Sequence, residues 1–167
     1  MELSLSGPKK MKTSSVLLLL WALMGLGTAS PALADYNSLD VKCMAANMYH
    51  EARGEDISGM ELVGHVVYNR MQSKKFPSTA CGVIKQPNQF SWYNTHKTVG
   101  VKPPDDLSKV DYKIATYLAE RILKFGFVLN DPTGGALFYY KTSIDQPEWA
   151  EKMPVTFEYK NHIFHSL

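Results

Sequence analysis

The densest chemistry in the chain is Tyr49-His50-Glu51-Ala52-Arg53-Gly54-Glu55, which packs an imidazole, two carboxyls and a guanidinium into seven residues. His50-Glu51 opens like a zinc-protease motif, but that motif needs a second His four residues after the first, so that both rings share one helix face. Gly54 stands there instead, and the zinc reading fails. Glu51 must then be read as an acid in its own right. On a helix, Met44 and Met48 flank it on one side and Asn47 on the other, which sets it at the edge of an apolar stripe. A carboxyl partly desolvated by thioethers holds its proton more tightly than usual, as a general acid must. The same position also fits a rim glutamate paired with Arg53 or Lys42, and spacing alone leaves both readings open.

Three helices are predicted to position these residues. The first runs from about Leu39 to Arg53, with Gly54 placed to end it. The second starts at Ser58, where Ser58-Gly59-Met60-Glu61 reads as a capping box, and carries the stripe Leu62, Val63, Val66, Val67 and Met71. The third covers about Lys109 to Phe125, with Ser108 as its N-cap and Gly126 as its stop. Between the last two lies a long aromatic and polar loop from Phe76 to Leu107. Such a loop in a compact domain is usually functional or disordered, and Phe90, Trp92 and Tyr93 argue for function. After a turn at Pro132, Gly134 and Gly135, the segments 136–140 and 155–159 read as short strands. Helices first and strands later predict a single α+β domain, mainly helical, with short C-terminal strands.

Lys9, Lys10 and Lys12, an apolar run from Val16 to Leu26, and Ala32-Leu33-Ala34 have the order of a secretory signal peptide cut after Ala34. Residues 1–34 are therefore read as the export signal and 35–167 as the folded domain, with Met11 an alternative start. A retained anchor is the rival reading, but the run is about half of the roughly 20 residues that span a bilayer. Membrane contact is thus expected only in transit. The signal carries three Lys and one Glu, so the rest of the chain has 15 basic and 15 acidic residues and no net charge. Nucleic acid is accordingly not an expected partner. Cys43 and Cys81, an even count in an exported chain, are expected to pair, with two buried thiols as the alternative. Two cysteines are too few for a structural zinc site, and no motif requires a metal or other cofactor.

Asn47-Met48-Tyr49-His50-Glu51-Ala52-Arg53-Gly54-Glu55 resembles the signature of the SleB-type cell wall hydrolases, known from spore-cortex-lytic enzymes, phages and Gram-negative bacteria. The likeness continues through Gly64-His65-Val66-Val67-Tyr68-Asn69-Arg70, Phe76-Pro77-Ser78-Thr79, Cys81-Gly82-Val83-Ile84 and Gln89-Phe90-Ser91-Trp92. It ends with Gly134-Gly135-Ala136-Leu137-Phe138-Tyr139-Tyr140, Pro147-Glu148-Trp149-Ala150 and His162-Ile163-Phe164. These blocks keep their order across nearly all of residues 35–167. Many family members carry a His where this chain has Tyr140, which removes one proton-relay candidate and leaves Glu51 untouched.

The resemblance implies a lysozyme- or lytic-transglycosylase-like fold that cleaves peptidoglycan glycan strands between N-acetylmuramic acid and N-acetylglucosamine, with Glu51 as catalytic acid and base. Gln89, Ser91, Trp92, Tyr139, Tyr140 and Asn69 become candidate substrate contacts, and Arg53 and Glu55 structural support. His50, His65 and His162 are read as structural. A hydrolase normally adds a second carboxylate to activate water or trap the sugar. Glu55 is the nearest, and Gly54 should break the helix before it, which favours intramolecular transglycosylation over a muramidase reaction. A peptidoglycan amidase or peptidase lacks a zinc set or a Cys-His pair here. A catalytically dead glycan-binding module is disfavoured by the intact Glu51 block. The expected protein is exported, periplasmic or in the cell wall, and monomeric.

Overall fold

The computed structural model describes residues 37–96, 106–126 and 130–167. The signal peptide expected over 1–34 lies outside the described residues. Helix α1 spans Ser38–Ala52. Asn37 caps it: its side-chain oxygen accepts from the backbone N–H groups of Leu39 and Asp40, each at 2.9 Å. At the other end Arg53 turns extended and Gly54 adopts φ +87°, a left-handed conformation that glycine takes without steric cost. The helix therefore stops one residue after Glu51, where the sequence placed its end.

Helix α2 spans Ile57–Gln72 and differs from expectation at its start. Asp56, not Ser58, is the cap, its carboxylate accepting from Gly59 N at 3.0 Å. A carboxylate is the better partner for the positive end of the helix. It is also held from outside by Tyr159 Oη at 2.7 Å and Lys160 Nζ at 2.9 Å, which the Ser58 hydroxyl is not. The expected long loop contains two short helices, α3 (Ala80–Ile84) and α4 (Ser91–His96). Helix α5, Asp106–Phe125, begins ahead of Ser108, so that residue lies in its first turn. Gly126 N closes its last turn on Ile122 O at 2.7 Å.

Three strands follow: β1 (Phe138–Lys141), β2 (Val155–Tyr159) and β3 (His162–His165). They form an antiparallel sheet in the order β1-β3-β2, so the central strand is the one the alternation did not mark. β3 is short and mostly buried, and four residues give too little alternation to read. The mainly helical α+β class expected from the sequence is what the chain adopts. No helix among the described residues is long and apolar enough to cross a membrane.

Helix α1 is the axis of the domain. It packs against α2, α3 and α5, and Cys43 through Tyr49 are buried without a break. The expected single apolar stripe is thus widened to nearly the whole circumference, as for a helix enclosed by others. Gly64 allows a close crossing: a Cβ there would stand 2.7 Å from Ile122 Cδ1 and 3.1 Å from Met48 Sδ. Beyond α2, a second apolar cluster of Leu62, Val66, Ala136 and Phe164 seats the sheet.

The disulfide expected between Cys43 and Cys81 is present and ties α1 to α3 across 38 positions. Asp40, buried in the first turn of α1, accepts from Cys81 N at 3.0 Å beside it. A crosslink over a loop of this length removes chain entropy from the unfolded state worth about 4 kcal/mol. Denaturant unfolding with and without reductant should show a lower midpoint for the reduced protein. An unchanged midpoint would mean that the helices alone hold this corner.

Candidate active site

A cleft of about 690 Å³ opens between the C-terminal end of α1, the turn leading into α4, strand β1 and the segment 143–153. Each wall has a local cause. α1 delivers Glu51 in its last turn, half-buried at the cleft floor. Asn88, in a left-handed turn at φ +61°, reverses the chain so that Gln89 and Ser91 face the opening. Strand β1 runs along the opposite side. Its two-residue period puts Tyr139 and Lys141 on one face and Phe138 and Tyr140 on the other. The second pair packs on Trp149, with ring centroids 5.6 Å and 6.0 Å away.

The position of β1 is fixed by α2. Asn69 Nδ2 donates to Asp131 at 2.8 Å and to Ala136 O at 3.1 Å, pinning the turn before the strand. Asp131 also accepts from Thr133 Oγ1 at 2.7 Å and from Thr133 N and Gly135 N, both at 2.8 Å; partial burial raises its pKa, and these bonds outweigh it and hold the carboxyl below the usual carboxylate range. Next in sequence, Arg70 Nε donates to Leu137 O at 2.6 Å. The Arg70 guanidinium lies over the rings of Phe76, Phe90 and Phe138 at 5.2–5.4 Å. Burial lowers its pKa to about 10, so it remains a cation at neutral pH. At the far end of β1, Lys141 Nζ donates to the backbone carbonyl of Glu51 at 2.7 Å. A lysine at that carbonyl satisfies one of the orphan acceptors of the helix end and complements its negative pole.

Glu51 is therefore surrounded by opposing influences. Burial raises its pKa, while the Lys141 ammonium and the Tyr139 hydroxyl pull it back, and the net shift is upward. It faces neither Arg53 nor Lys42 as an ion-pair partner. Arg53 instead turns its guanidinium over Tyr49, 5.4 Å from the ring centre. The arrangement makes Glu51 a protonatable acid with a cation and a phenol at hand for the charge it acquires on losing its proton.

The structure brings together five of the candidate site residues: Glu51, Gln89, Ser91, Tyr139 and Tyr140 all line the cleft. Trp92 and Asn69 lie behind it. Trp92 is buried, donates from Nε1 to Asn47 Oδ1 at 2.9 Å and stacks on His50 at 4.5 Å. It thus braces the helix that carries Glu51. Glu55 follows Gly54 outside α1, its N–H bonded to Ala52 O at 3.0 Å, and does not line the cleft. Among the described residues, Glu51 is the one carboxylate lining the cleft. Sequence reasoning missed Lys141, because a lysine ending a short strand carries no local signal, and it missed Asn88, Asn94 and Trp149 as wall residues. The lysine's role depends on a contact across 90 positions. Among the described residues, no three His, Cys, Asp or Glu side chains stand where they could share a metal ion.

This geometry has relatives. Residues 54–165 match the profile of the cell wall hydrolase family, over a span that begins three residues after Glu51. The chain is 31% identical over 134 residues to a spore cortex-lytic enzyme of Bacillus cereus, an alignment covering 77% of this chain and 45% of that protein. It is 30% identical over 129 residues to a spore cortex-lytic enzyme of Oceanobacillus iheyensis, covering 77% and 42%. It thus spans less than half the length of these curated relatives. The crystal structure of the catalytic domain of the Bacillus cereus SleB protein aligns with a TM-score of 0.60 at 28% identity, over 84% of this chain and 100% of that one. The catalytic domain of the germination-specific lytic transglycosylase SleB from Bacillus anthracis aligns with the same TM-score at 29% identity, over 79% and 98%. The chain belongs to the cell wall hydrolase family, and its fold is that of the SleB catalytic domain.

The raised pKa of Glu51 has a consequence for stability. The folded state binds this proton more tightly than the unfolded chain, so its contribution is favourable at low pH. It is lost as pH rises from the ordinary value of 4.5 through the raised one. Glu51→Gln removes the ionising group and should raise Tm at neutral pH relative to the parent, a difference that closes below pH 4.5. Thermal melts across that window check it, and a Tm gain independent of pH would contradict a buried, strained carboxylate.

Proposed function

We propose that this protein cleaves the glycan strand of peptidoglycan between N-acetylmuramic acid and N-acetylglucosamine as a lytic transglycosylase. Glu51 donates its proton to the bridging oxygen as the bond from muramyl C1 breaks. The resulting carboxylate then takes the proton of the muramyl 6-hydroxyl as that oxygen bonds to C1. A 1,6-anhydro ring closes, Glu51 is protonated again and no water is consumed. The observation that carries this reading is a cleft lined, among the described residues, by one carboxylate: an inverting or retaining hydrolase works with two, facing each other across the sugar. Glu51 has the properties that both half-reactions need, a proton retained by burial and a cation near enough to favour its loss. The similarity to a catalytic domain described as a germination-specific lytic transglycosylase supports the same outcome.

Gln89, Ser91 and Tyr140 are the side chains for sugar hydroxyls and acetamido groups. The aromatic wall around Trp149 suits the apolar face of a pyranose ring. Trp92 and Asn69 serve by holding Glu51 and β1, and Arg53 and Glu55 by finishing α1. One chain supplies every wall of the cleft, so a monomer suffices. A glycan substrate and a disulfide both point to a working location outside the cytoplasm.

Digestion of purified sacculi, with the products identified by mass, tests the reading. Anhydromuramyl ends are the expected products. Reducing muramic ends would make the enzyme a muramidase, and new amino termini would make it an amidase or peptidase. Glu51→Gln should lower the rate by on the order of 10²–10⁴-fold, and a fully active variant would remove Glu51 from the chemistry.

A further inference from the structure

Two polar atoms of this cleft are buried without a hydrogen-bond partner: Tyr139 Oη and Arg70 Nη1. Both residues line the space that Glu51 faces. Orphaned buried donors are rare, because each gives up its hydration and receives nothing back. Packing does not explain the phenol. The Tyr139 ring rests on His162 and Phe164, each with centroids 5.7 Å away, and a phenylalanine would make the same contacts. The hydroxyl is thus a feature that folding alone would discard.

Its surroundings indicate a use. The hydroxyl lies within electrostatic reach of both the Glu51 carboxyl and the Arg70 guanidinium. It falls short of hydrogen-bond geometry to Glu51, and we take the pair as a near contact, not a bond already formed. Burial raises the Tyr139 pKa well above the usual phenol value, with the Glu51 carboxyl adding to it through its charge and through its closeness to the hydroxyl, and Arg70 opposing. The phenol consequently keeps its proton and can only donate toward a carboxylate. Arg70 is rigidly held, by Leu137 O and three aromatic faces, so its charge behind the phenol cannot swing away.

We propose that Tyr139, backed by Arg70, is a positioning residue that forms its hydrogen bond to Glu51 only after Glu51 has given up its proton. The inference rests on Glu51 being the acid and base of the reaction. A protonated carboxyl gains little from a second donor, whereas a carboxylate accepts a charge-assisted bond about twice as strong as a neutral one. The phenol therefore favours the state in which charge has developed, which is the differential stabilisation that accelerates a step. Its own proton stays on Oη throughout. The other titratable groups facing the pair are Lys141 on β1, Arg70 on α2 and His162 on β3. Burial, then Lys141, lowers the His162 pKa and keeps that ring neutral. On α1 His50 turns to Trp92, and just past its end Arg53 turns to Tyr49.

Tyr139→Phe separates this role from a structural one. The variant should fold with a Tm equal to or above that of the parent, since it loses an unsatisfied oxygen. Its turnover of solubilised glycan strands should fall about tenfold or more. The alkaline limb of its pH profile, where Glu51 loses the proton it needs as an acid, should move to higher pH. Carbon-13 titration of the Glu51 carboxyl in the free protein reads the same displacement without substrate. An unmoved limb and an unmoved titration would overturn the proposal, whatever the turnover. Glu51→Gln assayed in parallel keeps the two readings apart. If it is active, the underlying assignment fails; if it is inactive while Tyr139→Phe titrates like the parent, only the role of Tyr139 fails.

Discussion

The cleft depends on the burial of α1 along nearly all of its sides. An exposed helix end frays and its last side chains sample many rotamers. α1 is enclosed by α2, α3 and α5, with Cys43 through Tyr49 and Ala52 buried, so the helix that carries Glu51 is held up to its last turn. Even its polar interior position is used: Asn47, fully buried, accepts from Trp92 and thereby fixes the aromatic residue that backs His50. Glu51 then projects from a rigid rod at the point where enclosure ends. A proton-transferring carboxyl has to be held within a fraction of an ångström of its target, and sites on packed helices achieve that better than sites on loops.

The second wall is rigid for a different reason. Strand β1 is short and at the edge of a three-stranded sheet, which alone would leave it poorly located. Adjacent residues of α2 fix it. Asn69 holds the turn before the strand, Arg70 holds Leu137 at its entry, and Lys141 at its exit bonds the carbonyl of Glu51. The strand is thus pinned at both ends to the two helices that cross at Gly64. One residue, Lys141, both closes this frame and tempers the acid, so cleft geometry and cleft electrostatics cannot be varied independently.

How far this was legible in the sequence varied with the range of the interaction. The end of α1 was readable because Gly54 is a local signal, and it fell where expected. The start of α2 was misread because Asp56 and Ser58 are both good caps. The choice was made by Tyr159 and Lys160, about a hundred positions away. β3 was too short to show alternation. Glu51 was marked as a semi-buried carboxyl by Met44 and Met48 alone, but its partners Lys141 and Tyr139 come from a strand whose facing direction is set by Asn69 and Arg70. Trp92 is the converse case. Exposed aromatics in a polar loop suggest sugar stacking, and only the fold reveals that its indole is turned inward to Asn47.

A cleft lined by one carboxylate, as this one is among the described residues, faces a requirement that a two-carboxylate cleft avoids. When acid and base are separate groups, their environments can be tuned apart, one raised and the other left low. In the proposed reaction Glu51 serves as both within one turnover, so no single strong bias will do. Burial alone would hold the proton too firmly to release it, and a close salt bridge alone would keep the group ionised and useless as an acid. The structure instead opposes burial with a lysine whose shortest bond goes to the Glu51 backbone and not to its carboxylate. The ammonium then acts on the carboxyl through space, strongly enough to matter and weakly enough to leave the net shift upward. That compromise, more than any one residue, is what the framework of α1, α2 and β1 maintains.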